Sequence, residues 1–125
     1  VSLGVLLKSL AIIALLAALA FAADPEPPGP SLKLLETGKA AYDQTCAACH
    51  GATGEGNGPV AFAIKPPPRN FRKDPFKAGD SISQIFHTVT YGLPDTRMVG
   101  YPQLDENTRW GVSYYVLGMR PATKK

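Results

Sequence analysis

The chain is poor in the residues that build most small sites and scaffolds. Among its 125 residues are two cysteines, Cys46 and Cys49, and two histidines, His50 and His87. One pair of thiols cannot supply the several disulfides of a small secreted scaffold. A structural zinc site needs four Cys or His ligands at paired spacings, and this chain has too few at those spacings. Strand signals are weak throughout, which argues against a βαβ frame and hence against a thioredoxin-like dithiol site. The formal net charge is only +3, and the basic residues form no long stripe or helical face, so nucleic-acid binding is not indicated. The glycine-rich stretch Gly51–Gly58 lacks the lysine and hydroxyl of a phosphate loop, and no strand precedes it.

What is present is Cys46-Ala47-Ala48-Cys49-His50. Two thiols separated by two residues can both reach the vinyl groups of one haem, and the adjacent histidine then lies under the iron as the proximal ligand. One haem would use both cysteines and leave neither for a disulfide or a lipid anchor. It would also add apolar mass to a domain of about 90 residues, whose own core is modest.

Four regions follow from composition. Residues 1–23 are almost wholly apolar, broken by Lys8. The uncharged stretch Ser9–Ala23 falls short of the roughly 20 residues of a spanning helix. Lys8, the run Leu10–Leu19 and Ala20-Phe21-Ala22 instead supply the three parts of a secretory signal, with cleavage after Ala22 or Ala23. An uncleaved anchor, with Lys8 snorkelling to the headgroups, is the alternative. Either way the domain is expected across a membrane, in a bacterial periplasm. Residues 24–30, Asp-Pro-Glu-Pro-Pro-Gly-Pro, read as a stiff extended linker about 20 Å long. Residues 31–121 form the globular domain, and 122–125 a basic tail.

Within the domain the pattern is all-α with long loops. Ser31 caps a first helix to about Thr45, with Leu32, Leu35 and Tyr42 on its apolar side and Gly38 and Ala41 near it. A second helix runs from Ser81 to about Tyr91 on Ile82, Ile85, Phe86 and Val89. A last one, capped by Asp105, runs from Glu106 to Leu117 with Trp110, Ser113, Tyr114 and Leu117 on one face. Gly38 is costly inside a helix unless another backbone element packs closely there, and an aromatic of the last helix is the expected partner.

The series Gly38-x-x-x-Tyr42-x-x-x-Cys46-x-x-Cys49-His50-Gly51, followed by a glycine-rich loop, a late methionine and a C-terminal aromatic helix, resembles a class I cytochrome c. The resemblance covers about Leu34 to Leu117. It implies three main helices around one covalently bound haem c, with the N- and C-terminal helices crossing. It also implies single-electron transfer without substrate chemistry. The family closes the sixth iron position with a methionine from the loop before the last helix, which here is Met98; Met119 follows that helix. His87 is the rival ligand. Asp95 and Val99 stand where similar cytochromes often have Gly and Pro around this methionine. By the same resemblance Thr96 hydrogen-bonds a propionate, and the carbonyl of Pro59, in Gly58-Pro59, accepts from the proximal histidine.

Pro66–Phe71 is expected to run extended along one side of the haem, with Arg69 paired to a propionate. Lys65, Arg69, Arg72, Lys73 and Lys77, broken by Asp74, form a basic run suited to docking an acidic redox partner. The reading is thus a one-haem electron carrier, not an enzyme, with unnamed redox partner proteins. A permanently bound subunit of a larger membrane oxidoreductase is its first rival. A haem enzyme or gas sensor with an open distal site, and a haem-free dithiol protein, are the others.

Overall fold

The computed structural model describes residues 2–4 and 23–121. The signal or anchor expected at residues 1–23 lies almost wholly outside the described residues, as does the basic tail at 122–125. Among the described residues no helix is long and apolar enough to cross a membrane.

Three helices frame the domain: α1 Leu32–Thr45, α3 Ile82–Tyr91 and α4 Glu106–Gly118. A single turn, α2 Ala47–His50, carries the motif, and a 3₁₀ turn follows at Ala61–Ala63. The described residues include no named strand, only an isolated antiparallel bridge between Gly92 and Val99. The starts of the three main helices are set by their caps. Ser31 Oγ accepts from Leu34 N–H, and the Asp105 carboxylate accepts from both the backbone and the hydroxyl of Thr108. Ser81 and Gln84 form a reciprocal capping box.

Helices α1 and α4 cross, and the crossing differs from the expected one. A Cβ on Gly38 would collide with the backbone carbonyl of Gly111, and a Cβ on Gly111 would press on the Gly38 backbone in turn. Two glycines, rather than a glycine and an aromatic ring, allow this close approach. The turn of α1 that faces inward is correspondingly Leu34, Gly38 and Tyr42, at intervals of four, all buried. Leu32 faces outward and is 81% exposed, so it does not belong to the apolar side. On α4 the buried set is Trp110, Gly111, Val112, Ser113 and Val116, while Tyr114 and Leu117 are only partly covered.

The core divides in two. Leu34, Phe86 and Trp110 form one cluster, with Trp110 1% exposed and stacked on Phe86 at 3.8 Å. Tyr42, Phe71, Ile85, Val89, Val112 and Val116 form the other, and every one of these six also lines a cavity. The fold therefore puts six of the nine buried hydrophobic residues described around the cavity.

Residues 24–30 have no helix or strand, as their prolines dictate. They do not stand off as a free spacer, however. Asp24 pairs with His87 Nδ1 on α3 at 2.7 Å, and the Tyr114 hydroxyl on α4 donates to the Pro28 carbonyl at 2.6 Å. The segment lies along the two helices as a strap.

Candidate haem site

The motif sits where α1 hands over to α2. Cys46 N–H still donates to Tyr42 O, and His50 N–H donates to Cys46 O, so the two cysteines and the histidine are wound on one turn. Gly51 then turns the chain with φ +80. The fully buried Tyr42 hydroxyl donates to the Gly51 carbonyl at 2.7 Å, tying α1 to the loop that follows the motif.

Beside this turn lies a cavity of about 450 Å³, within the roughly 300–1,000 Å³ range of small-molecule and cofactor sites. Cys46, Cys49 and His50 line it from one element and Met98 from another. Ile85, Val89, Val112 and Val116 line it from α3 and α4, and Pro66, Pro67 and Pro68 from the loop between the 3₁₀ turn and α3. Arg69, Lys77 and Arg97, against the single carboxylate of Asp74, leave the charged residues of the lining net positive. Two thiols, an imidazole and a thioether around an apolar, partly cationic cavity are the donor set that a covalently attached haem with two propionates requires. Among the described residues no group of three or more His, Cys, Asp or Glu side chains gathers to hold a bare metal ion.

Burial governs the ionisation of these groups. The Cys46 thiol is pushed up to about 11, first by burial and then by the neighbouring Cys49, so it is held as the neutral thiol. Burial lowers His50, and its hydrogen bond to the Arg69 carbonyl opposes that shift. The contact, Nδ1 to Arg69 O at 3.2 Å, also selects the tautomer. A carbonyl only accepts, so Nδ1 carries the proton and Nε2 keeps the lone pair that a metal needs.

This acceptor is not Pro59. Gly58 packs against the backbone carbonyls of Ala47 and Ala48, and gives its own N–H to Cys49 O. Val60 N–H goes to Ala48 O. Pro59 sits on the exposed turn between these two anchors and does not line the cavity. The run Pro66–Phe71 does line the cavity, and it brings the Arg69 carbonyl to His50.

Met98 is presented by a tight loop. Leu93 N–H donates to Met98 O at 2.9 Å beside the Gly92–Val99 bridge, and Asp95 takes the left-handed conformation at φ +59 that glycine would adopt without cost. Thr96 lines the cavity, but its hydroxyl is engaged inside the loop: it donates to Leu93 O at 2.8 Å and accepts from Met98 N–H. With its single proton given to Leu93, Thr96 braces Met98 rather than offering a donor to a propionate. His87 is exposed, bound to Asp24, and absent from the cavity lining. Met119 caps α4 and packs beside the core instead.

Two contributions to the site escape sequence reasoning. Tyr101 lines the cavity from the loop before α4, where no pattern marks it. Phe71 stacks on the His50 ring, a contact that residue spacing cannot show.

Comparison with known proteins agrees with this geometry. The cytochrome c family model matches residues 35–120. A solved structure from Kuenenia stuttgartiensis, titled a reducing HAO-like protein complex, is similar over 77% of the chain, at 30% identity and a TM-score of 0.64. The chain spans 46% of the length of that structure's chain. A comparison with curated proteins found no match. With the match running from α1 through α4 and including the Cys-x-x-Cys-His turn, the chain belongs to the cytochrome c family, whose cofactor is covalently attached haem c and whose work is haem-based electron transfer.

Proposed function

We propose that this protein is an exported one-haem electron carrier, working in the periplasm or tethered to its membrane, in a respiratory or photosynthetic chain. The observation that carries the reading is the convergence of Cys46, Cys49, His50 and Met98 on one cavity. In this reading Cys46 and Cys49 form the thioethers, His50 is the proximal ligand and Met98 the distal one. The bound haem supplies an iron that cycles between ferric and ferrous states and so holds or releases one electron.

The chain's own residues make that cycling efficient. The Arg69 carbonyl fixes the His50 tautomer. The Thr96 bridge holds Met98 in its loop. Methionine as the second ligand favours a higher reduction potential than a stronger donor would. The valine and isoleucine walls lower the polarity around the site, which disfavours the form with the extra positive charge. With His50 and Met98 both given to the iron, no position would be left open for a substrate, which separates this reading from a haem enzyme or gas sensor. The basic run around Arg69 and Lys77 supports docking of an acidic redox partner by raising the encounter rate.

A second reading, a fixed subunit of a larger oxidoreductase, is favoured by the neighbouring structure, which is titled a complex and whose chain is more than twice as long as the matched part. The haem residues serve the same roles in both.

Replacing Met98 tests the site directly. Met98→Ala should retain covalent haem, bind carbon monoxide in the ferrous form, and show a lower midpoint potential in a redox titration. An unchanged potential with no carbon monoxide binding would exclude Met98 as the ligand.

A further inference from the structure

The His50 imidazole is held by two contacts of different kinds. Its Nδ1–H reaches the Arg69 carbonyl, which anchors one atom of the ring. A single hydrogen bond still lets the ring rock about the Nδ1···O line. The second contact removes that freedom: the Phe71 ring lies nearly parallel to the imidazole, with centroids 4.4 Å apart and planes 19° from each other. We propose that Phe71 is a positioning residue for His50, setting the plane of the imidazole through this stack.

Phe71 is itself firmly supported. It is 9% exposed, and its backbone N–H donates to Gly54 O at 2.7 Å. Gly54 takes φ +77, and a Cβ there would press on both the Phe71 ring and the Met119 sulfur. The Phe76 ring meets Phe71 edge-on at 5.5 Å and 85°. The Arg120 guanidinium covers Phe76 at 4.7 Å. A continuous series of packed groups therefore runs from Arg120, just beyond α4, through two phenylalanines to the proximal histidine. Neighbours that orient a ligating histidine tune the metal it binds, through ring orientation and ligand basicity. Here the orienting neighbour is apolar, so it acts on the ring plane and leaves the proton on Nδ1 where the Arg69 carbonyl holds it.

The proposal rests on His50 as the proximal ligand, and its test separates the two ideas. Native holoprotein carrying Phe71→Leu keeps apolar bulk but loses the flat ring; Phe71→Tyr keeps the ring. Both should retain one attached haem by intact mass. The Leu variant should show ferric g-values and a haem-methyl shift pattern displaced from the wild type in electron paramagnetic and nuclear magnetic resonance, together with a shifted midpoint potential. The Tyr variant should reproduce the wild-type g-values and shifts. A Leu variant with attached haem and wild-type g-values would overturn the proposal. Should the Leu variant yield no holoprotein, the wild-type protein decides. Proton–proton contacts between the Phe71 and His50 rings support the stack, and their absence overturns it. Wild-type protein without attached haem would remove the functional reading itself, and the proposal with it.

Discussion

Single residues do two separable jobs in this protein: some touch the site, and some fix the elements that present it. Cys46, Cys49 and His50 were legible from the sequence because covalent attachment demands a contiguous pattern. Met98 was legible as a candidate because only two methionines exist and only one precedes the last helix. The hydrogen-bond partners were not legible. Pro59 and Arg69 lie ten residues apart, and which carbonyl reaches His50 depends on how Gly58 docks on α2, a matter of backbone approach that spacing does not encode. Thr96 lines the cavity, but its hydroxyl turns inward to the loop.

At the same scale the cap of α4 makes a pH-dependent prediction. Hydrogen bonds from Thr108 hold the Asp105 carboxyl below its ordinary range. A carboxyl lowered in the folded state contributes stability above its unfolded pKa, and loses that contribution as pH falls through the folded value. Asp105→Ala should therefore melt at a lower temperature than the wild type near neutral pH. The gap should narrow as the solution is acidified below the usual carboxylate range. Thermal melts of holoprotein across that range check this, and a gap independent of pH would count against the cap.

Among the elements, the crossing of α1 and α4 is the contact on which the site's geometry depends. Periodicity marks all three main helices, and Ser31 and Asp105 mark two of the starts as caps; Ser81, read as the first residue of α3, is its cap. The partner across the crossing is not legible in the pattern. Gly111 lies beside Trp110, and an aromatic residue is the more conspicuous candidate to fill a notch at Gly38; the notch is instead shared by two backbones. Gly38→Ala forces a methyl into the Gly111 carbonyl, with no flexible side chain there to yield. Overpacking of a close-packed contact costs about 1–3 kcal/mol, and backbone on both sides places this one at the upper end. Denaturant unfolding of the holoprotein should show that loss, whereas Leu32→Ala, on the exposed side of α1, should change stability by less than about 0.5 kcal/mol. The strap at residues 24–30 belongs to this scale too. Its composition specifies an extended chain, but whether it lies on the domain is decided by Tyr114 and His87, residues distant in sequence.

The molecule as a whole is organised around its cofactor site. One of its two core clusters coincides with the cavity wall, so the same valines, isoleucine and aromatics serve both stability and the site. That arrangement suits a domain too small to build a large core of its own. Export, proposed from the apolar stretch ahead of the strap, predicts an intact mass for the native protein that lacks the segment ending at Ala22 or Ala23 and includes one haem. A mass retaining that segment would establish the anchor.

The most direct test of the whole account is the optical spectrum of native protein, oxidised and then reduced, recorded before and after acid–acetone extraction. Covalent attachment at Cys46 and Cys49 with His50 and Met98 on the iron predicts sharp reduced bands that stay with the polypeptide, and a weak far-red band in the ferric form. Haem extracted free of the chain would contradict the attachment. Attached haem without the far-red band would contradict Met98.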